Sequence, residues 1–372
     1  MSDTARPAHA REAPPATEPV PVPPPAPAKQ RDPFFDNAKY LAIVLVATGH
    51  GWEPLREGSR TVTTLYMVVY AFHMPAFIVI SGYFSRGFEA TPRQIKRLAA
   101  GVAVPYVAFE VAYTLFTRWT DHAPDRPISL LEPLYLTWFL AALFIWRLTT
   151  PLWRIVRRPL PLALAVAMLA TLSPSLGSVL ELQRVLQFLP YFVLGLCLKP
   201  EHFQLVRRPE VRVLSVPVLL GALAVAYWAV PRMNYAWFFH RDSVQELAAP
   251  AAYGPAMTLA TFGCSVVLSA CFLAWVPRRR MWFTVLGAGT LYGYLLHGFV
   301  VQSAKFGHWY DHAWVHRPLG EITVTLVAAA VVTVLCTPPV RRLFHFAMEP
   351  ELEWAFRRDA AETAHDRAAV RR

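Results

Sequence analysis

Lys39 and His50 stand eleven residues apart in the apolar run FFDNAKYLAIVLVATGH, residues 34–50. On a helix that separation is about three turns and about 16 Å of rise, so both side chains share one face. Imidazole titrates near neutrality and can take a proton from a hydroxyl, while an amine can hold a phosphate. Titratable groups recur in other apolar runs: His73 in FHMPAFIVISGYF, Glu110 at the end of VPYVAFE, and His297 in LYGYLLHGF. An ionised side chain at the centre of a membrane helix costs about 2.5 to 3.5 kcal/mol on insertion scales. Such groups usually face a bundle interior or a wet cavity and mark function. Each also has a plainer reading. Lys39 can snorkel to headgroups, His50 can be solvated at a helix end, His73 can be a neutral imidazole bonded between helices, and Glu110 can be protonated and structural.

HWYDHAWVH places His308, His312 and His316 at i, i+4 and i+8 with Asp311 alongside, a spacing that on a helix would line one face as metal ligands do. The stretch has no obvious catalytic carboxylate partner, and its aromatics suit a membrane interface, so no metal is expected. Cys197, Cys264, Cys271 and Cys336 lie in apolar stretches without metal or redox spacing and read as packing residues. Glycine-rich phosphate loops, a nucleophile elbow and CxxC pairs are absent from the sequence.

The elements that must position these residues are membrane helices. The 372-residue chain is 55% hydrophobic and only 16% charged, too apolar for an ordinary soluble enzyme. Apolar runs of about 18 to 25 residues give ten candidate spans: 34–52, 63–84, 96–117, 133–152, 159–177, 185–199, 212–231, 252–276, 282–304 and 320–344. The expected fold is therefore all-α, a polytopic integral membrane protein. Its domain would run over 32–345, between a disordered proline-rich tail at 1–31, which does not read as a signal peptide, and a charged tail at 346–372. The connections holding Arg86 to Arg97, Arg147 to Arg158, Lys199 to Arg212 and Arg278 to Arg280 carry fifteen Lys and Arg, and the alternate connections carry nine. The positive-inside rule puts the first set, and both termini, in the cytoplasm of a cell membrane. The net charge of +11 is then a topology signal, and nucleic acid is not expected as a partner. Lys39 falls near the inner end of span 1 and His50 near the outer end; His73 lies near mid-membrane, and Glu110 and His297 in the outer half.

Five stretches in order, FFDNAKYLAIVLVATGH, FHMPAFIVISGYF, IKRLAAGVAVPY, TWFLAALFIWRL and GTLYGYLLHGFVV, resemble the acyltransferase 3 family, specifically its fucose 4-O-acetylase-like branch. The resemblance covers about residues 31–345. It implies a multi-span enzyme that moves an acyl group, usually acetyl from acetyl-CoA, onto sugar hydroxyls of surface glycans, glycolipids or glycosylated metabolites. It also implies that the basic residue and histidine of the first span, Lys39 and His50, belong to the site. Many relatives carry arginine at the first of these positions, and lysine lacks its bidentate geometry. The family's FHMP…SG stretch corresponds to Phe72 through Gly82, and its R…PY stretch to Arg97, Pro105 and Tyr106.

The expected catalytic set is then His50 as base with Glu110 and His73, and the donor-binding set is Lys39, Arg86, Arg93, Lys96 and Arg97. His297, Glu53 and Ser81 are expected at the acceptor or oxyanion, with Glu110 or Glu53 orienting the imidazole. Acyl-CoA is the expected co-substrate, with a sugar-containing acceptor and the lipid bilayer as partners. Two alternatives stay open: a transporter or flippase using the intramembrane His and Glu, and transfer of succinyl or a longer acyl group.

Overall fold

In the computed structural model, residues 32–120, 124–177, 179–350 and 355–356 are described. The expected N-terminal tail and the C-terminal residues 351–354 and 357–372 lie outside them. The described residues form helices joined by turns: α1 Pro33–Trp52, α2 Arg60–Ser85, α3 Pro92–Leu98, α4 Val104–Thr120, α5 Trp138–Ile155, α6 Pro159–Leu172, α7 Leu182–Cys197, α8 Pro200–Val206, α9 Pro209–Ala229, α10 Tyr253–Trp275, α11 Thr290–Phe306, α12 Pro318–Leu335 and α13 Pro338–Met348. Every one of the ten expected positions holds a helix. Seven helical stretches among the described residues are long and apolar enough to cross a membrane: Arg60–Ser85, Pro92–Thr120, Val179–Cys197, Pro209–Ala229, Tyr253–Trp275, Thr284–Phe306 and Pro318–Leu335. The chain is an all-helical polytopic membrane protein.

Prolines account for most of the shifted boundaries. The expected last span, 320–344, divides after Leu335 because Pro338 opens a new helix, α13. The fourth begins at Trp138 rather than 133, and the fifth stops at Leu172 rather than 177. Ahead of Pro105 the backbone widens into a π-turn over Ala99–Ala103, which joins α3 to α4 without ending the span.

α2 and α11 lie at the centre, with 78% and 67% of their most apolar windows buried, whereas α9 and α12, at 11%, face outward. α2 crosses α7 at close range. A Cβ on Gly82 would meet the Phe192 carbonyl oxygen, and one on Gly195 would meet the Val79 carbonyl oxygen and stand 2.9 Å from Gly82 Cα. Only glycine at both positions lets the two backbones approach this closely. α1 packs among α2, α11 and α12, so the face carrying His50 is turned inward rather than to lipid.

Candidate active site

The chain turns sharply after Trp52, where Pro54 opens a 3-10 turn over Glu53–Gly58. That turn folds Glu53 back onto the helix it follows, and Glu53 Oε1 lies 3.1 Å from His50 Nδ1. The other carboxylate oxygen accepts from Lys305 Nζ of α11 at 3.0 Å, and the Tyr70 hydroxyl donates to Oε1 at 3.3 Å. Burial alone would raise the Glu53 carboxyl, but His50 and then Lys305 more than reverse this and hold it well below the usual carboxylate range. Glu53 is therefore an anion and can only accept, so Nδ1 of His50 carries the hydrogen and Nε2 presents its lone pair. That is the tautomer a general base needs.

His50 and Glu53 line a cavity of about 200 Å3 with His73, Tyr66, Tyr70, Tyr135, Trp138, Phe239, Arg184 and Arg241. His73 reaches it from α2, its Nδ1 donating to the Val69 carbonyl at 2.8 Å and its ring 4.6 Å from that of Tyr70. The His297 ring stands 5.5 Å from that of His50, and its Nδ1 donates to the Gly293 carbonyl at 2.9 Å. In each ring the carbonyl takes the Nδ1 hydrogen, so Nε2 is an acceptor in the neutral form. His297 as a neutral imidazole thus cannot donate to an oxyanion, and its Nε2 is buried with no partner among the described residues.

Tyr135, which no sequence signal marks, places a hydroxyl beside His50. Its ring lies 5.3 Å from His50, and its buried hydroxyl has no partner among the described residues. Tyr135 has φ +58°, a left-handed conformation that a bulky residue holds only when its surroundings impose it. Those surroundings are specific. Glu110 Oε2 accepts from the Leu134 N–H at 2.9 Å and from the Thr137 hydroxyl at 2.5 Å, on either side of Tyr135. Tyr294 donates to the Leu136 carbonyl at 2.6 Å. On α11, Gly298 leaves the space the ring needs, since a Cβ there would come within 2.8 Å of Tyr135 Cε1.

Of Glu110 and Glu53, the two acids expected to orient the imidazole, Glu53 is bonded to His50, whereas Glu110 braces residues 134–137. Ser81 donates back to the Phe77 carbonyl at 2.9 Å and does not line the cavity. Lys39 pairs with Asp36 at 2.7 Å. Arg86 is committed to the Tyr83 and Leu198 carbonyls at 2.9 and 2.8 Å, closing the end of α7. Arg93, Lys96 and Arg97 sit on α3 and do not line the His50 cavity. His308, His312 and His316 do not share a helix face: His308 has φ +58° and starts a 3-10 turn over Trp309–Asp311, where it pairs with Asp311 at 2.8 Å. Lys305 lay in plain view, eight residues after His297 on one helix, whereas no sequence signal marks the backbone of Tyr135.

Residues 32–340 match the Acyl_transf_3 family model, an acyltransferase domain. The chain belongs to the acyltransferase 3 family. No curated protein and no solved structure matches it. Membership decides between the two classes of membrane protein left open above, because an acyltransferase needs an acyl donor and an acceptor where a transporter needs a translocated solute. The protein is an acyltransferase, and its half-buried His50 imidazole stands against the Glu53 carboxylate.

Proposed function

We propose that the protein moves an acetyl or other short acyl group from acyl-CoA to a sugar hydroxyl, in the cavity lined by His50. The acceptor hydroxyl gives its proton to His50 Nε2 as its oxygen attacks the thioester carbonyl carbon. Negative charge then gathers on the carbonyl oxygen, where the Tyr135 hydroxyl donates a hydrogen bond. Collapse breaks the carbon–sulfur bond, and the imidazolium returns its proton to the leaving thiolate, giving ester and free CoA. Glu53, kept ionised by Lys305, stabilises the imidazolium in between. The observation that carries this reading is the His50–Glu53–Lys305 relay at 3.1 and 3.0 Å.

A sugar is favoured as acceptor by the aromatic cavity wall, Tyr66, Tyr70, Tyr135, Trp138 and Phe239. Apolar ring faces with polar edges suit a sugar's mixed surface. The excess of basic residues in alternate connections supports a cytoplasmic Lys39 end and a His50 end on the far side, with both termini inside. Mass spectrometry of glycans, glycolipids and glycosylated metabolites from cells with and without the gene tests the reading. The expected result is an acetyl mass, or that of another short acyl group, present only with the gene; identical ester profiles would refute it.

A further inference from the structure

A second pocket, of about 520 Å3, opens where the α8–α9 turn meets the connection from α10 to α11. Arg207, Arg212, Arg278 and Arg279 line it beside Trp275, and no acidic side chain is among its lining residues. Arg212, Arg278 and Arg279 bring three like charges to one hollow, and these repel one another unless an anion or water screens them. A planar guanidinium is also the side chain best matched to the oxygens of a phosphate, which it grips in bidentate fashion.

The pocket is held in shape. Asn37, fully buried near the start of α1, donates to the carbonyls of Pro277 and Arg279 at 2.9 and 3.0 Å, and accepts from the Thr284 hydroxyl at 2.6 Å. The same hydroxyl oxygen receives the Met281 N–H at 2.8 Å. The backbone carrying Arg278 and Arg279 is thereby fixed to α1. Arg207 lies 3.7 Å over the Phe34 ring and Arg212 4.3 Å over Trp275, so aromatic faces orient both guanidinium planes.

Location supplies the rest. Asn37 and His50 are thirteen residues apart on α1, about 20 Å of helical rise. A ligand with phosphates at one end and a reactive thioester on a long slender arm spans such a distance. We propose that this pocket binds the phosphate groups at the nucleotide end of the acyl-CoA donor, an inference that rests on the transfer reading above. The phosphate site is then formed by the α8–α9 turn and the α10–α11 connection, in place of the α3 cations expected from sequence.

The test compares acetyl-CoA with S-acetylpantetheine, which carries the thioester but no phosphate, on wild type in nanodiscs of neutral lipid. Wild type should prefer acetyl-CoA in kcat/KM by about a hundredfold, as expected for several charge-assisted contacts, and adenosine 3′,5′-bisphosphate should inhibit competitively. Arg278→Gln with Arg279→Gln should shrink the donor preference at least tenfold. An unchanged preference in the variant, or no inhibition of wild type by the bisphosphate, overturns the assignment. A variant effect seen only in nanodiscs containing anionic lipid also overturns it, since the arginines would then be reading headgroups. Wild type that transfers from neither donor refutes the transfer reading itself, and the pocket's role with it.

Discussion

Tyr135 and Glu110 form a pair in which one residue does chemistry and the other holds it in place. If the Tyr135 hydroxyl stabilises the oxyanion, Tyr135→Phe should lower kcat about 100- to 1,000-fold, the usual cost of one such donor, with little change in KM. Glu110→Gln keeps the shape but weakens the acceptor for the Leu134 N–H and the Thr137 hydroxyl. It should lower kcat less, and adding it to Tyr135→Phe should cost almost nothing further, because both act through one contact. Additive losses in that double-mutant cycle would separate the two residues. Glu53 gives a prediction in pH. Its carboxyl is held below the usual range, so its contribution to folding is complete above the ordinary glutamate value of about 4.3 and is lost only as pH falls through the depressed one. Glu53→Gln should therefore lower Tm at neutral pH, and the gap to wild type should persist down to about pH 4. A gap that closes between neutrality and pH 5 would contradict the relay geometry.

Helix by helix, the parts of the architecture that rest on apolar length were legible in the sequence. All ten expected positions are helical, because an uninterrupted apolar run has few other ways to satisfy its backbone in a bilayer. Boundaries were less legible where a turn residue outweighs apolarity, as at Pro338, or where the chain caps late, as at Trp138. Closeness of approach was not legible: nothing in SGYF or VLGLC alone says that Gly82 and Gly195 face each other. Gly195→Leu would push a side chain into the Val79 carbonyl and should cost at least about 1 to 3 kcal/mol, the range typical of overpacking. The expected reading is a lower Tm in detergent together with reduced yield. Leu at Gly221, where a Cβ meets nothing within 4 Å, should leave both nearly unchanged.

Across the whole molecule, α1 is the axis of the account: Asn37 fixes the arginine-lined pocket at one end and His50 anchors the cavity at the other. The sequence made Lys39 and His50 visible as chemistry, since a charged and an imidazole residue in one apolar run demand an explanation, whereas Asn37 carried no such signal. What it hid was which partners each end acquires, because those come from helices distant in the chain, Lys305 at His50 and Pro277 to Arg279 at Asn37. The proposed orientation is testable in a cysteine-free background. Asp125→Cys should react with a membrane-impermeant thiol reagent added outside intact cells, and Arg280→Cys only after the membrane is opened; the reverse pattern would invert the topology. The central claim is that His50 removes the acceptor's proton, and single-turnover transfer of labelled acetyl from acetyl-CoA in proteoliposomes tests it most directly. His50→Ala should slow that step about 100- to 10,000-fold while CoA still binds, whereas a variant that transfers acetyl at the wild-type rate would contradict the account.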